Sequence, residues 1–409
     1  MVSLAGILAS QTRALADPAV TYLAVGSDTI QDVSNQFSLD FAGNLLGSFN
    51  ATNPVSNAVH EVVTAAKTGT SSPVVAPAQC SFDRPNGSGE GVSALRLSMG
   101  STTASPPGGA NPPQATCIDI ARSSSAPGSA NIDPTAGKLI YIPFALDAVA
   151  GSTGSVAGTI NGTATPASAL NNPAFTLAQL QAMYANGTPE TATNGTTYDP
   201  EAVFNGHVAA TGDVPIDLYV PQPGSGTRNF WATTMGFNNT TLPNWVNDHI
   251  VTTANITNPP ATNTPTAFVG VSIEEHDGTA VSADPFGYAP FSIAQYIAQT
   301  AGHNDRRHQA VLQTINGVAP ITNGSLNTAF PVRREVYNVV AYDRVVNTGD
   351  GAFDANLAGL LVGTASTVCR DAVTIHNFGF GSLASSPLGH TCGAVDTTNL
   401  RAFGATTGF

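Results

Sequence analysis

Ile216-Asp-Leu-Tyr-Val220 runs through Pro221 and Gln222 into Pro223-Gly224-Ser225-Gly226-Thr227-Arg228, and Phe230, Trp231 and Met235 follow. The first segment reads as a buried strand, and the last residues recur at helical spacing. A strand that ends in a Gly/Ser/Thr loop and opens a helix is the unit from which α/β folds are built. The same unit recurs upstream. Val20–Val25 reads as a strand, followed by Gly26-Ser27-Asp28-Thr29 and then Ile30, Val33, Phe37, Phe41 and Leu45 three or four apart. Ser27, Asp28 or Thr29 is expected to cap that helix. Asn86-Gly-Ser-Gly-Glu-Gly91 leads into Val92, Leu95 and Met99, and Cys117–Ala121 ends at Arg122-Ser123-Ser124-Ser125.

The remaining segments fit the same class. Leu139–Leu146, Phe286–Phe291 and Val336–Tyr342 read as strands, Thr176–Tyr184 as a short helix, and no repeat of fixed period is present. A helix N-terminus offers unpaired N–H groups and partial positive charge. Glycine lets an anion approach that backbone, and Ser or Thr adds a hydroxyl, so such loops bind oxyanions without lysine. Several in one chain point to an anion site, with capped helix starts as the alternative.

Composition narrows the classes further. The 409 residues carry 27 acidic against 14 basic side chains, a net charge of −13, and only 10% are charged. Nucleic-acid binding needs clustered cations and is excluded, as is docking on anionic lipid. No run of 18 apolar residues exists, so no membrane insertion is expected. The only lysines are Lys67 and Lys138, and a surface of Thr, Ser, Asn, Gln and Gly is common in exported proteins. Residues 1–16 read as the tail of a signal peptide, with Ala14-Leu15-Ala16 as the cleavage site before Asp17. In an exported chain the four cysteines default to disulfides, and neighbour pairing gives Cys80–Cys117 and Cys369–Cys392.

Motifs for catalysis are missing. There is no G-x-S-x-G, Gly137-Lys138 lacks a Walker A context, and no H-E-x-x-H occurs. The chain is therefore expected not to be an enzyme, with no catalytic residue, metal or cofactor. Glu274-Glu275-His276-Asp277 is read as a polar loop capping the next segment; lining a ligand, or a metal or acid–base role, are the alternatives.

The ordered set Val25-Gly-Ser-Asp-Thr29, Asn86-Gly-Ser-Gly-Glu-Gly-Val92, Ile118-Asp-Ile-Ala-Arg-Ser-Ser124 and Pro223-Gly-Ser-Gly-Thr-Arg228 resembles the PstS-type phosphate-binding proteins of ABC transporters. Glu275-His-Asp-Gly278 and Phe286-Gly-Tyr-Ala-Pro-Phe291 resemble that family's returning hinge region. The resemblance implies a type II periplasmic-binding-protein fold, α/β in class, with two α/β lobes joined by two crossing strands and a ligand cleft between. Lobe one is expected to combine residues 17–140 with 288–409, and lobe two to span 141–287. Leu139–Leu146 and the stretch near Phe286–Phe291 are the expected crossings.

Carried over residue by residue, the resemblance places Ser27, Asp28, Thr29 and Ser88 on the ligand from lobe one. Ser225, Gly226 and Thr227 close from lobe two. The sequence departs from the family twice: Ser124, beside Ser123, stands where an Asp accepts the ligand's proton, and Pro221 stands where an Arg is usual. Arg122 is the first candidate for the missing positive charge and Arg228 the second; alternatively Arg122 pairs with Asp28 or Asp119. The implied function is an extracellular solute-binding protein for phosphate or a similar oxyanion, with an ABC permease as partner. The alternative is a secreted PstS-like surface or adhesive protein without a transport role.

Overall fold

Every residue of the strand Leu139–Thr153 is buried, and Asp147 is its only charged side chain. A continuously apolar strand of that length must be covered on both faces throughout. A computed structural model shows how; it describes residues 19–68, 79–160, 163–201, 207–250 and 272–409. The expected signal peptide and its cleavage site lie outside those residues.

The strands that matter are β1 (Tyr22–Gly26), β2 (Leu46–Ser48), β3 (Ile120–Ser123), β4 (Leu139–Thr153), β5 (Glu190–Thr191), β6 (Thr197–Pro200), β7 (Val214–Tyr219), β8 (Gly287–Ser292) and β9 (Arg333–Ala341). The helices are α1 (Gln31–Asp40), α2 (Ser88–Ser98), α3 (Leu177–Asn186), α4 (Gly226–Met235) and α5 (Ile293–Thr300). The central sheet runs β2-β1-β3-β9-β4-β8-β7-β6-β5. β1 is parallel to β2 and β3, and β7 is parallel to β6 and β8. β4 lies antiparallel to β9 and to β8.

Two cores meet along β4. Leu139–Ala145 of β4 packs with Leu23, Val25, Ile120 and Val336–Val340. Leu146 and Ala148–Ala150 pack instead with Leu180, Met183, Leu218, Trp231 and Tyr288. The chain is thus a two-lobed α/β protein of the type II periplasmic-binding-protein fold, and β4 passes from one lobe to the other.

The return path is longer than the expectation. Phe286–Phe291 falls in β8, which pairs with Val149–Ser152 of β4, and α5 directly after it places Ala294 and Ala298 in the first core, but the chain then goes back to the second. It is β9 that runs back along β4, from Arg333 opposite Ala148 to Ala341 opposite Leu139. Ile315, Leu326, Phe330 and Val332 accordingly sit in the second core, although they follow residue 287. β4 also extends seven residues beyond Leu146, because both lobes need it.

Both disulfides form, Cys80–Cys117 and Cys369–Cys392. Among the described residues no helix is long and apolar enough to cross a membrane. Thr176 caps α3 with a reciprocal Gln179 contact, and Gly187 ends it in the left-handed conformation. α1 is shorter than its spacing predicts: it stops at Asp40, and Phe41 turns extended while stacking on Phe37 at 5.3 Å.

A buried carboxyl pair lies in the second lobe. Asp217 and Asp284 are both buried, Tyr219 Oη donates to Asp284 at 2.6 Å, and Asp217 Oδ1 has no donor. Burial first, then Asp284's charge, pushes the Asp217 carboxyl well above its usual range. The folded state then binds a proton that the unfolded chain has released, so stability falls as pH rises past the ordinary carboxyl range. Asp217→Asn, whose amide donates to Asp284, is expected to raise neutral-pH stability by about 1–3 kcal/mol. Denaturant melts at pH 5 and pH 8 check it, and a variant less stable than wild type at pH 8 contradicts it.

Candidate functional site

Three of the four motif loops leave the carboxyl ends of β1, β3 and β7, where open α/β sheets place their ligands; the fourth, Asn86–Gly91, follows the antiparallel strand Gln79–Asp83. They meet at the seam between the lobes. Ser27, Thr29, Ser88, Ser123, Ser124, Ser225 and Thr227 are all buried there. Ser88 Oγ lies 3.2 Å from Ser124 Oγ and accepts from Ser124 N at 3.0 Å. A Cβ on Gly226 would fall 2.2 Å from Ser124 Oγ and 2.3 Å from Ser88 Oγ, so the glycine lets α4 of lobe two rest on the lobe-one hydroxyls.

The expected cap of α1 is not made. Ile30 is its N-cap residue and no side chain caps it. A hydroxyl that capped its own helix would be turned away from the seam; here Thr29 Oγ1 instead donates to Glu275 Oε1 at 3.1 Å. Ser225 does cap α4, accepting from Arg228 N at 3.0 Å, which leaves the N–H of Thr227 free in the first turn. That N–H donates to the same Glu275 Oε1 at 2.9 Å. One carboxylate oxygen therefore takes a hydroxyl from lobe one and a backbone N–H from lobe two.

Neither arginine singled out from sequence reaches this point. Arg122 is fully buried, and its guanidinium donates to Gly26 O (2.9 Å), Ser27 O (3.2 Å), Phe49 O (2.6 Å) and Ser48 Oγ (2.6 Å). It pairs with neither Asp28 nor Asp119; it ties the β1 and β2 loops together. Arg228 bonds Asp248 at 2.7 Å and also Pro221 O and Asn239. Arg334, on β9 directly opposite Asp147 of β4, stands at the seam instead. Its Nε donates to Asp147 Oδ2 at 2.9 Å, and its Nη2 reaches Thr227 Oγ1 at 2.9 Å and Thr29 Oγ1 at 3.3 Å. Arg334 thus touches both lobes from the crossing strand.

His276 completes the group. Its Nδ1 accepts from Ser292 N at 3.3 Å, so the ring proton is assigned to Nε2, which lies 2.8 Å from Thr29 Oγ1. Burial pushes the His276 imidazole down and keeps it neutral. Burial, then the adjacent Glu275 charge, pushes Asp28 well up, so Asp28 holds the proton. Burial opposes the charge on Glu275, but hydrogen bonds from His276 and Asp28 with the Arg334 charge more than offset it and hold this carboxyl below its usual range. Asp28, Glu275 and His276 offer three atoms within 4.8 Å of one another. They suit a cation poorly, because the imidazole presents its N–H to the cluster and Arg334 stands beside it.

Sequence reasoning placed the loops and missed the charges. The helix after the Glu274–Asp277 segment has Gly278 as its N-cap and no side-chain cap; Asp277 Oδ1 accepts from Thr279 N at 2.8 Å just ahead of it. The segment lines the seam, with Asn86 Nδ2 donating to Glu274 Oε2 at 3.1 Å across the lobes. Two signals could have found Arg334: Asp147 as the lone charge in an apolar run, and an Arg-Arg pair opening another strand.

The glycine loops also touch. Gly89 N donates to Gly224 O at 3.0 Å, and Gly87 has φ +97° with a Cβ position 2.7 Å from Gly224 O. Gly87→Ala adds a methyl where only backbone fits, in a conformation L residues avoid. It is expected to hold the lobes apart, read as an increased radius of gyration in solution scattering. A scattering curve identical to wild type contradicts it.

No family model matches the sequence, and a comparison with characterised proteins finds no similar one. Among solved structures the chain is similar to a phosphate ABC transporter substrate-binding protein with bound phosphate from Clostridium perfringens: 12% identity, TM-score 0.43, covering 88% of this chain and 98% of that one. An ABC-type phosphate transport receptor from Vibrio cholerae gives 11% identity and TM-score 0.43 over 88% and 99%. PstS from Borrelia burgdorferi gives 10% identity and TM-score 0.34 over 89% and 98%.

Proposed function

We propose that this chain is an extracytoplasmic solute-binding protein that clamps an oxyanion of the phosphate class between two lobes hinged on β4 and β9. One observation carries the reading: the donors Thr29 Oγ1 and Thr227 N, one from each lobe, converge on a single carboxylate oxygen. A helix N-terminal N–H, a hydroxyl and a guanidinium nearby are the groups that hold a phosphate or sulfate oxygen. Ser88 and Ser124 stand next to them, against Gly226. In this reading Arg334 takes the charge-neutralising place first expected of Arg122. Delivery to an ABC-type permease follows from the resemblance and is part of the proposal.

Titration calorimetry and thermal melts with phosphate and with sulfate test it. A ligand that binds only the folded state stabilises it by about 2.7 kcal/mol at 100 times its Kd. A saturable shift with either anion supports the reading. No heat and no shift with either, in wild type and in Glu275→Gln alike, overturns it.

A further inference from the structure

We propose that the Glu275 carboxylate is the resident occupant of the oxyanion cradle, a tethered competitor that draws the lobes together and that a free oxyanion must displace. This rests on the oxyanion reading of the same site and adds to it what sets the affinity.

The geometry is that of a ligand. Glu275 is fully buried, and its Oε1 takes the Thr29 hydroxyl and the Thr227 N–H. Arg334 Nη2 braces both threonine hydroxyls from behind. A hydrogen-bond chain leads into the same oxygen: Ser292 N to His276 Nδ1, His276 Nε2 to Thr29 Oγ1, Thr29 Oγ1 to Glu275 Oε1. Glu275 itself comes from lobe two. Its neighbour Ile273 donates from its N to Asp248 O at 3.1 Å and accepts on its O from Gln222 N at 2.8 Å. The carboxylate therefore reaches from its own lobe to Thr29 of the other, as a bound anion would.

The fit is incomplete, which is what allows displacement. Arg334 Nη1 is buried without a hydrogen-bond partner. A planar carboxylate on a side-chain tether fills one oxygen position and leaves Nη1 of Arg334 unused. A tetrahedral oxyanion has further oxygens to offer that guanidinium. The cost of the competitor is simple: when the cradle is filled internally most of the time, the apparent affinity for a free anion falls by the fraction of time it is open. A tether keeps the competing carboxylate at an effective concentration in the millimolar range or above. His276 Nε2 lies 3.3 Å from Glu275 Oε1, Arg334 bonds the Thr29 hydroxyl that Glu275 holds, and Arg306 Nη2 lies 4.0 Å from Asp28 Oδ2; with Asp28 and His276 neutral, both guanidiniums favour an anion in the cradle.

The test uses the full chain with Glu275→Gln and Glu275→Ala, their folding checked by circular dichroism. Inorganic phosphate and sulfate are titrated by calorimetry, and scattering is recorded with and without anion. Both variants are expected to bind phosphate or sulfate at least about tenfold more tightly than wild type. Anion-free Glu275→Ala is expected to be more expanded than wild type and to contract when anion is added. Glu275→Gln keeps the side chain's shape and removes its charge, and it decides the affinity question if the alanine variant fails to fold. Affinities no tighter than wild type in the folded variants, with anion-free scattering equal to wild type, overturn the proposal. Variants that expand yet bind neither anion leave the closing contact of Glu275 standing and refute the oxyanion reading instead.

Discussion

Arg334→Met is expected to lower the unfolding free energy by about 3–5 kcal/mol, the cost of leaving one half of a buried ion pair. Arg334 is buried and Asp147 entirely so. The pair closes at 2.8 Å through Nη2 as well as through Nε. Without the guanidinium, the Asp147 carboxylate keeps only Ser292 Oγ at 2.9 Å and Ala294 N at 3.1 Å. Adding Asp147→Asn should recover part of the loss, since the uncompensated charge is then gone. Arg334→Met also removes a cation from the seam, and losing a charge-assisted contact costs roughly 1.5–3 kcal/mol. Phosphate affinity should therefore fall about tenfold or more in the double variant as well, where stability is partly restored. Denaturant unfolding and calorimetry on both variants measure the two effects. A single-variant stability loss under about 1 kcal/mol would show that the pair is not what joins the crossing strands.

Arg122→Met should act on stability and not on the ligand. Its guanidinium serves four oxygens, three of them backbone carbonyls of the loops after β1 and β2. Burial pulls its pKa down to about 9, with Asp28 and Asp32 acting in the other direction. The carbonyls gain nothing from methionine, and each buried acceptor left without a donor costs about 1–3 kcal/mol. A loss of at least ~3 kcal/mol is expected in denaturant melts, with phosphate affinity close to wild type in the folded fraction. Full stability together with a lost phosphate response would return Arg122 to the ligand site.

The loops were legible because their signal is local. Gly224-Ser225-Gly226-Thr227 and Gly87-Ser88-Gly89 announce a helix start in the residues themselves: Ser225 caps α4 and Ser88 opens α2. The cysteine pairing was legible for the same reason, since each pair closes a short loop. The expected cap of α1 was not, because Thr29 has two uses for its hydroxyl, and the bond to Glu275, 246 residues away, prevails over a local cap. The full second crossing was not legible, because β8 and the Val336–Ala341 part of β9 both read as strands and both pair with β4. Only the Arg333-Arg334 start of β9, set against the lone Asp147 of β4, marks which half it joins.

By itself, the sequence determined the α/β class, the glycine loops and the hydroxyls that line the seam, since strand and helix periodicity and turn chemistry are properties of neighbouring residues. Only the tertiary structure decided which charges stand among those hydroxyls. Arg122, next to its loop in sequence, is drawn under it by four nearby oxygens. Arg334 and Glu275, far along the chain, arrive because β9 must pair with β4 and because the Ile273 backbone is fastened to lobe two beside the α4 loop. A buried charge settles where partners can be assembled around it, and here those partners come from strands that only the folded sheet brings together.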